Sequence, residues 1–140
     1  MLDELTYAKK MLQLGGYTLV VCGEGNVFVS EDRGIRPLLS LIGEEQWIGA
    51  CAADKIVGKA AAMLYVMLGV KAVYAEVLSE SARAVLQANG IVYDCHTLTE
   101  QIINREGSGI CPMERAVAAL EHPADAPAAI HSALEALKKG

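Results

Sequence analysis

Three short segments of this 140-residue chain hold residue types able to do chemistry: Asp54-Lys55 with Lys59 shortly after, Ser79-Glu80-Ser81, and Cys111-Pro112-Met113-Glu114. A carboxylate such as Asp54 accepts hydrogen bonds from an amine or hydroxyl or moves a proton, while the Lys55 and Lys59 ammonium groups meet an anion. Ser79 and Ser81 beside Glu80 read as the opening of a helix, whose free N–H groups and hydroxyls can hold a ligand oxyanion. Cys111 stands before Pro112 at another helix start, where the dipole favours the thiolate, and is the candidate nucleophile. Each group also has a plain structural reading. Asp54 is then an N-cap or first-turn acid and Lys55 and Lys59 a snorkelling pair, Ser79 is an N-cap, and Cys111 is a small buried side chain with Glu114 closing a capping box. Cys95-His96 together with Cys51 or Cys111, or Asp54 together with cysteines, are the further metal-ligating sets, but they lack the compact cysteine spacing of structural zinc sites, so neither metal nor cofactor is expected. Gly23-Glu24-Gly25-Asn26 lies inside a hairpin and reads as a turn, not a phosphate loop. His122 and His131 read as surface residues.

The elements that must position these groups follow from periodicity. Apolar residues from Leu2 to Leu14 form a helical stripe that Gly15-Gly16 ends. Tyr17–Cys22 and Val27–Ser30 are β-rich around the glycine turn, which predicts a hairpin. Pro37 opens a short helix to Leu41 or Ile42. Asp54–Leu68 is nearly apolar all round and reads as one buried helix that begins at Asp54. Lys71–Leu78, Ser79–Asn89 and Ile91–Tyr93 read as strand, helix and strand, a right-handed crossover between parallel strands. A short helix over Thr97–Asn104, a Gly/Ser loop over Arg105–Ile110, a helix from Pro112 to about Leu120 and a last helix over Ala128–Lys138 complete the chain. The expected class is α/β, a three-layer mixed sheet with helices on both faces. One domain over 1–140 is expected, with 122–140 as a helical extension.

Composition narrows the partners. The chain is 53% apolar but only 5% aromatic, so it can bury a core yet offers few rings for stacking bases. Twelve Lys and Arg against 17 Asp and Glu give a formal charge of −5, the wrong sign for holding phosphate backbones, and no nucleic-acid partner is expected. The apolar run Ala60–Val70 is too short to span a bilayer, so no membrane association is expected. Scattered cysteines and the lack of a basic-then-apolar leader point to a cytoplasmic protein with reduced thiols. A chain this apolar is expected to self-associate as a homo-oligomer.

This order of elements resembles the cytidine-deaminase-like fold. The local likeness runs from Val73-Tyr74-Ala75-Glu76-Val77-Leu78 through Ser79-Glu80-Ser81-Ala82-Arg83 to Ala88-Asn89-Gly90-Ile91-Val92-Tyr93. The chain is also similar to a prokaryotic family of small proteins of unassigned function within that superfamily, with Cys51-Ala52-Ala53-Asp54-Lys55 and Cys111-Pro112-Met113-Glu114 as landmarks. The resemblance implies a ligand cavity at one sheet edge. Zinc deaminases open the buried helix with H-x-E or C-x-E and the next helix with P-C-x-x-C. Here those stretches read Ala52-Ala53-Asp54-Lys55-Ile56 and Leu78-Ser79-Glu80-Ser81-Ala82-Arg83, so the metal ligands and the proton-shuttling glutamate are missing.

Two expectations result. The first is a metal-independent domain that binds a small polar, nucleoside-like molecule through Lys55, Lys59, Ser79, Glu80, Ser81 and Glu114. The second is an enzyme that kept the cavity and changed the chemistry, with Cys111 as nucleophile or Asp54 as acid/base.

Overall fold

Glycine placement and burial divide the chain into a five-stranded sheet between two helical layers. A computed structural model describes residues 2–104 and 107–139. Arg105 and Glu106, the start of the expected Gly/Ser loop, lie outside the described residues. Helix α1 (Leu2–Gly15) stops where Gly16 takes φ 73°, and hairpin strands β1 (Leu19–Gly23) and β2 (Asn26–Ser30) turn at Gly25 with φ 75°. Both conformations favour glycine over any side chain. Helix α2 (Arg36–Leu41) carries Pro37 in its first turn, as its missing N–H allows.

The next segment departs from the sequence reading. Cys51–Val57 is strand β3 and only Lys59–Leu68 is helix α3, with Gly58 between them. Asp54 and Lys55 therefore lie on a strand. The N-cap role expected for Asp54 and the one-turn pairing of Lys55 with Lys59 do not exist. The physical reason is that a central strand buried on both faces reads as a continuous apolar run, without the alternation that marks a half-exposed strand.

Strand β4 (Ala72–Ser79), helix α4 (Glu80–Ala88) and strand β5 (Val92–Thr99) follow as expected in kind, but β5 is longer than Ile91–Tyr93. It runs through Thr97–Thr99, and Ile103 then bridges Ile110, so the short helix expected over Thr97–Asn104 is absent. Its β-branched and threonine-rich sequence favours the extended chain. Helices α5 (Pro112–Val117) and α6 (Ala126–Lys139) close the chain.

The sheet order is β2-β1-β3-β4-β5. β1 is antiparallel to both neighbours, while β3, β4 and β5 are parallel. The fold is therefore a mixed α/β sheet whose two parallel crossovers run through α3 and α4. Helix α1 covers one face, burying Ala8 and Leu12 against Val20, Ala53 and Tyr74. The larger core on the other face gathers α3, α4, α5 and α6, including Leu64, Leu86, Val117 and Ile130. Every residue from Ala60 to Tyr65 is buried, so α3 is the centre of that layer. No helix among the described residues is long and apolar enough to cross a membrane.

Ser79 is the helix cap its sequence suggests: it is fully buried and its Oγ accepts the Ala82 N–H at 3.1 Å. Ser79→Ala should cost about 1 kcal/mol by urea denaturation, whereas Ser81→Ala, which removes only the hydroxyl 3.2 Å from Ser79 Oγ and leaves the Ala82 N–H bond in place, should cost less.

Candidate functional site

A cavity of about 920 Å³ opens where β3 ends and the chain turns into α3. Open α/β sheets bind ligands at this carboxyl-terminal edge of their parallel strands. Asp54 and Lys55 contribute from β3, Cys111 and Glu114 from the start of α5, Arg33 from the segment before α2 and Arg36 from the first position of α2. Ile102, Met113 and Leu134 supply apolar wall, and no aromatic ring lines the cavity among the described residues.

Asp54 is on the side of β3 that faces α3. There the Tyr65 hydroxyl donates to its Oδ2 at 2.7 Å. Removal from water pushes the Asp54 carboxyl up to about 6, against the partial opposing effect of the Tyr65 hydroxyl and of the Ile56 and Lys55 amides. Burial and the adjoining carboxylate push the Tyr65 phenol well above its usual range, so it stays protonated and donates. Sequence reasoning does not single out Tyr65. It follows Asp54 by eleven positions, and only the β3–Gly58–α3 reversal brings the two together.

Glu114 has a different role from the one its sequence suggests. Cys111 makes no side-chain cap to α5, so the expected Cys111/Glu114 capping box is absent. Instead Glu114 reaches across to α3, where the Lys59 N–H donates to Oε1 at 2.7 Å and the Ala60 N–H donates to Oε2 at 2.9 Å. The carboxylate thereby satisfies two of the amides that a helix start leaves free, and it complements the helix dipole. Gly58 makes this approach possible, because a β-carbon there would overlap the carboxylate. The Lys59 ammonium completes the clamp by donating to the Ala118 carbonyl at the end of α5, 3.0 Å away.

The remaining candidates lie elsewhere. Lys59 and Ser81 line a second, smaller cavity of about 320 Å³ between α3 and α4. Ser79 is buried as a cap, and Glu80 pairs with Arg83 on the surface at 3.1 Å. The structure thus brings Asp54, Lys55, Cys111 and Glu114 to one cavity and separates Lys59, Ser79, Glu80 and Ser81 from it. Among the described residues no three His, Cys, Asp or Glu side chains converge as metal ligands would. His122 and His131 are exposed, and Trp47 and Tyr74 are buried in the two cores.

Sheet order, helical layers and cavity together define a mixed α/β domain with a polar site at the ends of its parallel strands. A family model described as TM1506, a domain of unknown function (DUF1893), matches residues 7–134, and the chain belongs to that family. The crystal structure of a DUF1893 family protein (TM1506) from Thermotoga maritima superimposes with a TM-score of 0.84, covering 93% of this chain and 89% of that one at 24% identity. At that identity the likeness speaks for the fold. No curated protein sequence matches the chain.

Two predictions come from the carboxylates. Because the folded Asp54 carboxyl holds its proton more tightly than the unfolded one, the folded state binds more protons between about pH 4 and 6. Wild-type stability should then fall as pH rises through that window and level off above it. Asp54→Asn should match wild type near pH 4 and exceed it at pH 8 by up to about 3 kcal/mol, at about 1.4 kcal/mol for each tenfold change in proton affinity, as measured by urea denaturation at both pH values. For the clamp, Glu114→Ala should cost about 1–3 kcal/mol. Gly58→Ala should cost a similar amount in the wild type, but the double variant should fall short of the sum by at least about 1 kcal/mol, since the first change removes what the second collides with.

Proposed function

We propose that this domain is a metal-independent receptor for a small polar molecule, acting in the cytoplasm on a cytidine-deaminase-like scaffold. The observation that carries the reading is Asp54, a carboxylate withdrawn from water and held by Tyr65, yet opening onto a cavity of about 920 Å³. Withdrawing an acid from water costs stability, and such perturbed groups concentrate at binding and catalytic sites. A ligand amine or hydroxyl meets Asp54 inside, and Lys55, Arg33 and Arg36 at the same cavity suit an anionic group. The ligand is nucleoside-like in size and polarity, held by hydrogen bonds and aliphatic walls, since the lining offers no ring to stack on.

The scaffold reading is supported by the order β2-β1-β3-β4-β5, with an antiparallel hairpin followed by two parallel crossovers. In the observed register the buried helix opens at Val57-Gly58-Lys59 and the next at Leu78-Ser79-Glu80-Ser81-Ala82. Neither stretch holds a histidine or cysteine, and Glu80 pairs with Arg83 on the surface. Among the described residues no cluster of His, Cys, Asp or Glu is placed to hold a metal-bound water, and the amides at the first stretch are taken by Glu114. Zinc-dependent deamination is therefore not the proposed activity.

One observation favours a second reading. A carboxyl raised to about 6 lies where a general acid/base works efficiently near neutrality, so Asp54 could serve proton transfer in the same cavity. Cys111 also lines the cavity, but no histidine joins it there as a base among the described residues.

The test is isothermal titration of the purified chain with cytidine, adenosine and their 5′-monophosphates, in wild type and in Asp54→Ala. Binding should appear in the wild type and weaken about 10- to 100-fold in the variant, the worth of a charge-assisted hydrogen bond. Equal affinity in the two proteins would remove Asp54 from the site, and conversion of a bound nucleoside, followed by chromatography, would favour the enzyme.

A further inference from the structure

Strand β5 leaves one edge of the sheet without a neighbour among the described residues. It is eight residues long, contains no proline or lysine, and alternates between half-buried and exposed positions before becoming largely exposed from His96 to Leu98. Long exposed edges of this kind template further strand pairing unless something blunts them. Helix α1 packs on β1, β3 and β4 and gives β5 no comparable cover.

We infer that two copies of this chain pair antiparallel along β5, about a two-fold axis at Cys95, joining their sheets into one of ten strands. The backbone fixes which groups are free to do so. The Val92 N–H donates inward to the Lys71 carbonyl at 3.1 Å, so two and four residues along the strand point the same way, and Tyr93 and Cys95 point out. The outward Cys95 N–H is held at 2.9 Å by the carboxylate of its own neighbour Asp94, a stand-in for a strand partner.

The side chains choose the register. Centred on Cys95, Asp94 of each copy lies opposite His96 of the other, and exposed Val92 lies opposite exposed Leu98. These rows flank the hydrogen-bonded Cys95 pair and are the close-approaching ones of an antiparallel ladder. A shift of the axis to Asp94 sets two carboxylates face to face. A shift to His96 sets Asp94 against Leu98. The opposite edge, β2, has five residues and no charged side chain, so nothing there fixes a register. This pairing is independent of the ligand reading, because β5 contributes nothing to the cavity lining.

Sedimentation equilibrium of the full chain tests the inference. Wild type should dimerise, and His96→Asp, a change at an exposed position, should weaken the dimer about tenfold or more by placing carboxylate against carboxylate at two symmetric contacts. The exchange variant Asp94→His/His96→Asp should restore it. Hydrogen exchange should show the Cys95 amide gaining protection as concentration rises in wild type but not in His96→Asp. A chain that stays monomeric into the millimolar range, or a dimer indifferent to His96→Asp, would overturn the pairing.

Discussion

Helix α3 is buried on nearly all sides, and a buried helix cannot leave the amides of its first turn to water. The chain solves this with a residue far away in sequence: Glu114 accepts from both Lys59 and Ala60. Much else depends on that contact. It sets Gly58 as the only residue type that fits the junction, ties α5 to the centre of the core and fixes the wall of the cavity that carries Cys111. Lys59 in turn brings positive charge to the carbonyl end of α5, so the two helices complement each other's dipoles at both ends of one clamp. Fold stability and cavity shape are therefore one problem. A change that frees Glu114 loosens both.

Two carboxylates at this cavity have opposite situations, and the difference comes from their donors. Glu114 meets two backbone N–H groups with both oxygens, the arrangement that best replaces water for a charged acid. Asp54 receives one phenol on one oxygen and weaker help from the Ile56 and Lys55 amides, which together do not offset its desolvation. The first carboxylate is a structural part, complete without a ligand. The second has acceptor capacity left over and faces open volume, so Asp54, and not the more prominent Cys-Pro-Met-Glu segment, is the group at this cavity still able to take a donor.

Elements with one exposed face were legible in the sequence. The α1 stripe, strand β2 and helix α4 show periodicity that survives because one side of each meets water, whereas β1 and β4, buried along nearly all of their length, stand out as β-rich runs bounded by turn and helix-start signals. Strand β3 was not legible, since Cys51, Ala52 and Ala53 are small, apolar and buried against helices on both faces, and the run merges with α3 across a single glycine. That merger misplaced Asp54 on a helix while leaving it correctly at the cavity edge, because strand end and helix start are neighbours in either reading. Ser79 was legible as a cap, since a cap depends on the next three residues alone. Tyr65 and the trans role of Glu114 depend on contacts 11 and 54 to 55 residues apart, which local pattern does not carry.

The scarcity of aromatic residues acquires a structural cause from the same strand. With Cys51, Ala52 and Ala53 leading the central strand, and Ala60, Ala61 and Ala62 opening α3, there is little side-chain bulk to hold the layers apart. Close layers leave little room for ring-sized side chains at that junction, and the one ring on α3, Tyr65, comes a turn later with its hydroxyl on Asp54. Free volume is likewise expelled from the centre and collects where β3 ends and the layers part, at the cavity beside Asp54. The cavity at that edge therefore shares its small residues with the core, and enlarging Ala60 or Ala61, which belong to both, would press on both.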